Sequence, residues 1–127
     1  MDVRALSDDG LESLVRMTCE EVRLSTVELL VQLSEMQRRR LHAKFACDGL
    51  WSFCVRELGM SEDQATTRSK GAKLLLDYPE AEGLLRSGRL SLSALLVVAE
   101  LLPMSESPVE VLEEAAALGL GVRGLRH

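Results

Sequence analysis

The stretch "ELGMSEDQATTRSKGAKLLLDYP", Glu57 to Pro79, contains a helix end, a helix start and a second helix end in close succession. Gly59 accepts the positive φ with which helices commonly stop. Ser61-Glu62-Asp63-Gln64 has the form of a capping box, with serine at the N-cap and glutamine three residues later. Pro79 cannot continue a helix and disfavours one in the residue before it. A helix from about Ser61 to Asp77 is therefore predicted, entered through a tight turn from a shorter one. Val55 and Leu58 on the first helix, Gly59 and Met60 in the turn and Ala65 on the second have the spacing of a helix-turn-helix.

Upstream, Cys47-Asp48-Gly49 reads as a turn, and Leu50 to Leu58 as a short helix with Trp51, Cys54, Val55 and Leu58 on one face. Further back, Ser7 is an N-cap candidate, followed by Asp8 and Asp9, which suit the positive end of a helix dipole. Apolar residues then recur at Leu11, Val15, Val22, Leu29, Leu33 and Met36 with helical spacing. A continuous helix from Asp8 to about Phe45 would be roughly 55 Å long at 1.5 Å per residue, too long for a compact domain of this size. Either it breaks near Cys19 to Ser25, or it projects and pairs with another chain.

Downstream, a helix is expected from Glu80 to Ser87, ended by Gly88, and another from Ser91 to Leu102, closed by Pro103. Ser107-Pro108-Val109-Glu110 is a second capping-box pattern with proline at the favoured first position, opening a helix to Leu118. The tail "GLGVRGLRH" holds three glycines and is expected to fray. No internal repeat, low-complexity segment or linker interrupts the chain. The fold class is thus all-α: one multi-helix domain over residues 1–127, with a long N-terminal helix or helical hairpin, a helix-turn-helix core at about 50–78 and C-terminal helices at about 80–118.

Composition agrees. The 127 residues are 46% hydrophobic with only four aromatics, and the Leu, Val, Ala and Met that remain favour packed helices over sheets. Three cysteines, Cys19, Cys47 and Cys54, are an odd number without a CxxC pair, which suggests buried reduced thiols rather than a disulfide framework or a zinc knuckle. Acidic residues stand where a signal peptide would be basic and apolar, and Leu90 to Leu102 is too short and too polar to span a bilayer. A cytoplasmic protein without membrane contact is the expectation.

The net charge of −5 argues against indiscriminate coating of nucleic acid. Its distribution is uneven: residues 1–37 hold three basic and eight acidic side chains, residues 38–89 ten and seven, and residues 90–127 two and five. The middle third has a polyanion-facing balance that the whole lacks. In the predicted second helix of the helix-turn-helix, Gln64, Thr66, Thr67, Arg68, Lys70 and Lys73 are outward candidates. Glutamine pairs with adenine and arginine with guanine in the major groove, while threonine and lysine hold phosphates. Glu62 and Asp63 oppose this reading at the helix start, and a solvated helix packed on its neighbour accounts for the same pattern. A second basic cluster, Arg38, Arg39, Arg40 and Lys44, reads either as a phosphate clamp or as a solvated helix end.

Taken in order, Glu35 to Leu41, "LWSFCVRELGMSE" at Leu50 to Glu62, the Arg68 to Lys73 helix and "LLRSGRLSLSAL" at Leu84 to Leu95 resemble the helical region preceding the nuclease domain of a group of bacterial HNH endonucleases. The resemblance covers roughly residues 11–118. Leu58 to Leu95, with Gly88-Arg89-Leu90-Ser91, is also similar to the helix-turn-helix portion of ParB-type partition proteins. These resemblances imply a DNA-binding or DNA-positioning module with Gln64, Thr67 and Arg68 in the recognition helix. The chain departs from the family pattern at Ser69, where a large apolar residue is usual, and at Gly71, where alanine is typical. Both changes are expected to loosen the helix, the glycine by roughly 1 kcal/mol.

The chemistry of an HNH site needs histidines and an asparagine around a divalent metal. This chain has His42 and His127 and no asparagine. A glycine-rich phosphate loop is missing as well, because Gly119, Gly121 and Gly124 lack the accompanying Lys-Ser/Thr pair. No catalytic residue, metal or cofactor is therefore expected. The partner expected is double-stranded DNA, with regulation or positioning as the role, a homodimer through residues 8–45, and a nuclease or other protein acting in trans. The competing expectation is an interaction or oligomerisation module that uses the long N-terminal helix without binding DNA.

Overall fold

The structure, a computed structural model, describes residues 2–118. The glycine-rich tail and His127 lie outside the described residues. Within them the order is a 3-10 turn at Val3–Ala5, α1 (Asp8–Arg39), a 3-10 turn at Leu41–Phe45, α2 (Leu50–Arg56), α3 (Glu62–Asp77), α4 (Ala81–Ser87), α5 (Leu92–Val98) and α6 (Pro108–Ala117). The chain is all-helical, and no strand occurs among the described residues.

Most boundaries follow from local side-chain chemistry. Ser7 Oγ accepts the Gly10 N–H at 3.1 Å and starts α1. Ser61 and Gln64 form both halves of the capping box at α3, each satisfying an amide that the helix leaves unpaired. Gly59 and Gly88 take positive φ and stop α2's turn and α4. Proline stands at the first position of α6, but Ser107 makes no side-chain cap there, so the second capping box does not form. The helix expected over Ser91–Leu102 stops at Val98 and continues as successive turns to Met104.

α1 runs unbroken for 32 residues, about 48 Å, so of the two alternatives the break near Cys19 to Ser25 does not occur. It ends six residues before Phe45 because Arg40 turns left-handed at φ 55° and Ala46 does so again at φ 56°. These two residues frame the 3-10 turn that carries His42, whose ring is buried with Nδ1 lacking a partner among the described residues.

Two apolar clusters share α1. Val27 and Leu30 join Leu75, Leu84, Leu90, Leu95, Leu102 and Leu112 in the larger one. Leu33 joins Leu50, Cys54, Ala65 and Ala72 in the smaller, with Leu29 and Met36 packed against it. α1 therefore packs against α3 through both clusters. A Cβ on Gly71 would come within 3.1 Å of Leu30 and 3.0 Å of Leu92. Contrary to the loosening expected from sequence, the missing side chain at Gly71 lets α1 and α5 close on α3 from two sides. Ser69 is likewise buried, its hydroxyl donating to the Thr66 carbonyl at 3.4 Å, so a small polar residue suits the space where a large apolar one was expected.

The α2 face differs from expectation. Leu50, Phe53 and Cys54 are buried, whereas Trp51 and Leu58 are exposed. Phe53 packs edge-on against Phe45 at 5.1 Å between ring centres, and Arg56 donates to the Ala46 carbonyl at 3.2 Å, which ties α2 to the corner before it.

Candidate functional site

The α2–α3 corner is joined by one side-chain bond: the Trp51 indole N–H donates to Thr66 Oγ1 at 3.1 Å, and that hydroxyl donates in turn to the Glu62 carbonyl at 2.9 Å. Thr66 is therefore engaged by its own module. Gln64 has its side-chain oxygen on the Ser61 amide at 3.3 Å.

At about 100° per residue, positions 64, 68, 72 and 75 of α3 form one row. Ala72 and Leu75 on that row are buried, and Arg68 is half-buried. Lys70 lies about 160° around the axis from Arg68. The residues expected to act together thus divide between two sides. Thr66, Thr67, Lys70 and Lys73 line an open cleft of about 400 Å³ floored by Leu96 and Ala99 of the α5 segment and edged by Glu100. Gln64 is exposed, and Arg68 lies half-buried on the row that carries Ala72 and Leu75. Glu62, Asp63 and Asp77 are exposed at the two ends of α3, so acids bracket its pair of lysines.

The arginine cluster is not free either. Arg38 forks onto Glu35, with Nε 2.9 Å from Oε1, and Arg39 Nε reaches Glu35 Oε2 at 2.6 Å. The Arg38 and Arg39 hydrogen bonds hold the Glu35 carboxyl down at about 2, and the same contact raises the Arg38 guanidinium. One carboxylate thus offsets part of the positive charge of the cluster, while Arg40 and Lys44 stay exposed. The acid was legible from its place three and four residues before the arginines.

Burial pushes the Cys54 thiol up, away from the thiolate form a nucleophile needs. Among the described residues, no group of three His, Cys, Asp or Glu side chains is placed to hold a metal ion.

An exposed apolar surface also runs along α1. The helix buries only Val27, Leu30 and Leu33, all in its C-terminal half. Between residues 8 and 25 nothing is buried, and Leu11, Val15, Met17, Val22 and Leu24 stand 39% to 60% exposed. Leu11, Val15 and Val22 continue in register into Leu29 and Met36, which are covered by the α2 cluster. Met17 and Leu24 continue into Val31, which packs on the larger cluster. The same stripes are thus covered at one end of α1 and open at the other. The free half is held in line by Arg23, whose guanidinium donates to the Arg86 carbonyl at 3.2 Å, lies 3.5 Å from Glu20 and would meet a Cβ on Gly88 at 3.3 Å. The 3.6-residue repeat was visible in the sequence, but which turns of it would be covered was not.

No helix among the described residues is long and apolar enough to cross a membrane. Compared with family models, with curated proteins and with solved structures, the chain matches none.

Proposed function

We propose that this chain is a non-catalytic helical docking module whose working surface is the free N-terminal half of α1. The observation that carries the reading is the pair of apolar stripes at Leu11, Val15, Met17, Val22 and Leu24, exposed along about three and a half helical turns and outside both buried clusters. Contiguous exposed apolar surface of this kind marks an interaction site in folded proteins. Its straight, helical form suits a second helix laid along it, which buries residues at i, i+4 and i+7 spacing. Light scattering and sedimentation of the full chain test it. A Val15→Ser/Val22→Ser double variant should lose any association the parent shows while keeping its helical spectrum. Association by the parent that persists undiminished in the variant would remove α1 from the role.

A second reading, binding of duplex DNA through α3, is supported by Thr67, Lys70 and Lys73 on one cleft edge and by the resemblance to HNH endonuclease accessory regions and ParB-type helix-turn-helix segments. On this reading Lys70 and Lys73 hold phosphates, with Arg40 and Lys44 as outlying contacts. Fluorescence anisotropy against a pool of duplexes at low and moderate salt tests it. Saturable binding that weakens with salt and is lost in Lys70→Ala/Lys73→Ala supports the reading, and absence of binding at low salt ends it.

A further inference from the structure

We infer that the occupant of the α1 stripe is a basic-flanked amphipathic helix of a different protein, and not a second copy of this chain. The inference rests on the docking reading above and adds the charge of the partner. Written as heptads, Val15 and Val22 share one seam position, Leu11 and Thr18 the other. The positions flanking that seam are Glu12 and Cys19 on one side and Leu14 and Glu21 on the other, so every charged flank is acidic.

The wider segment agrees. Residues 8–25 contain Asp8, Asp9, Glu12, Glu20 and Glu21 against Arg16 and Arg23 alone, a net charge of −3. Neither arginine stands at a seam or flanking position, and both are engaged within the chain: Arg16 lies 3.4 Å from Glu12 in an exposed pair, and Arg23 is held by Glu20 and the Arg86 carbonyl. A second copy would bring the same two flanking glutamates and the same −3, with no cation at a flanking position to answer them. Flanking charges decide which helices pair and which do not. A partner with lysine or arginine at its own flanks meets Glu12 and Glu21 with opposite charge and covers Leu11, Val15 and Val22 with its apolar seam. The same balance disfavours nucleic acid and an anionic bilayer as occupants, since both are polyanionic surfaces.

The test uses the full chain and two synthetic helical peptides of about four heptads with identical leucine and valine seams, one flanked by lysine and the other by glutamate. Fluorescence anisotropy of the labelled peptides reads the affinity, and sedimentation of the chain alone reads self-association. The Lys-flanked peptide should bind roughly tenfold or more tightly than the Glu-flanked one, with the preference shrinking as salt rises. Val15→Ser/Val22→Ser should abolish that binding, and Glu12→Lys/Glu21→Lys should invert the preference. Equal binding of both peptides, or binding of neither, would overturn the inference. Concentration-dependent dimerisation lost in the serine variant would overturn it too while leaving the docking reading intact. Binding of the Lys-flanked peptide that survives the serine substitutions would remove both.

Discussion

Glu35 shows how one side chain changes the meaning of its neighbours. Its carboxyl is held at about 2 by the Arg38 and Arg39 hydrogen bonds, below the ordinary value of 4.5. A carboxyl depressed in the folded state stabilises the fold above its unfolded value, and that contribution is lost as pH falls toward the folded one. Glu35→Gln should therefore flatten the part of the stability–pH curve lying between about pH 4.5 and about 2. Urea midpoints of parent and variant across that range check it, and superimposable curves would mean that the fork does not hold in water. Gly71 is the second decisive residue. Alanine there would gain about 1 kcal/mol of helix propensity but would press its Cβ on Leu30 and Leu92, and overpacking costs about 1–3 kcal/mol. A net loss of about 1 kcal/mol is expected for Gly71→Ala by chemical denaturation, opposite in sign to the gain that propensity alone predicts.

At the scale of the element, α1 is two half-helices with one hydrogen-bonded backbone. Its C-terminal half lies in the core, where Leu30→Ala should cost about 2–5 kcal/mol because Leu30 is fully buried. Val15→Ser/Val22→Ser, on the free half, should shift stability by only about 0.5 kcal/mol per site in denaturant titrations. Hydrogen exchange should draw the same line, with amides before Arg23 exchanging faster than those around Leu30 and Leu33, because only the latter are covered by packed neighbours. For α3 the same distinction between faces applies. Lys70 and Lys73 open onto the α5 cleft, while Gln64 caps its own helix and Arg68 lies on the row that runs into Ala72 and Leu75.

For the whole molecule, α1 is the element that both apolar clusters share, through Val27 and Leu30 on one side and Leu33 on the other. Loss of α1 from one cluster exposes the other, so unfolding should be a single transition. Trp51 is the only tryptophan and reports on the α2–α3 corner through its bond to Thr66, whereas far-ultraviolet dichroism reports on all helices. The two probes should give coincident urea curves, and separated midpoints would mean that the clusters melt independently.

Features that depend on neighbours three or four residues away are legible along the chain. Ser7, Ser61, Gly59, Gly88 and Pro108 mark helix ends because a hydroxyl, a positive φ or a missing N–H acts on the backbone beside it. The all-helical class followed from the same local chemistry and the apolar repeat, whereas whether α1 breaks near Cys19 to Ser25 did not. The tertiary structure alone decided which turns of that repeat are covered, why glycine stands at 71 and on which side of α3 each polar residue lies. Those outcomes turn on which distant helix is adjacent: Gly71 meets Leu30 and Leu92, and Arg23 meets the Arg86 carbonyl. Burial is a property of the assembled neighbours, and a period of 3.6 residues fixes only that an apolar face exists, not what covers it.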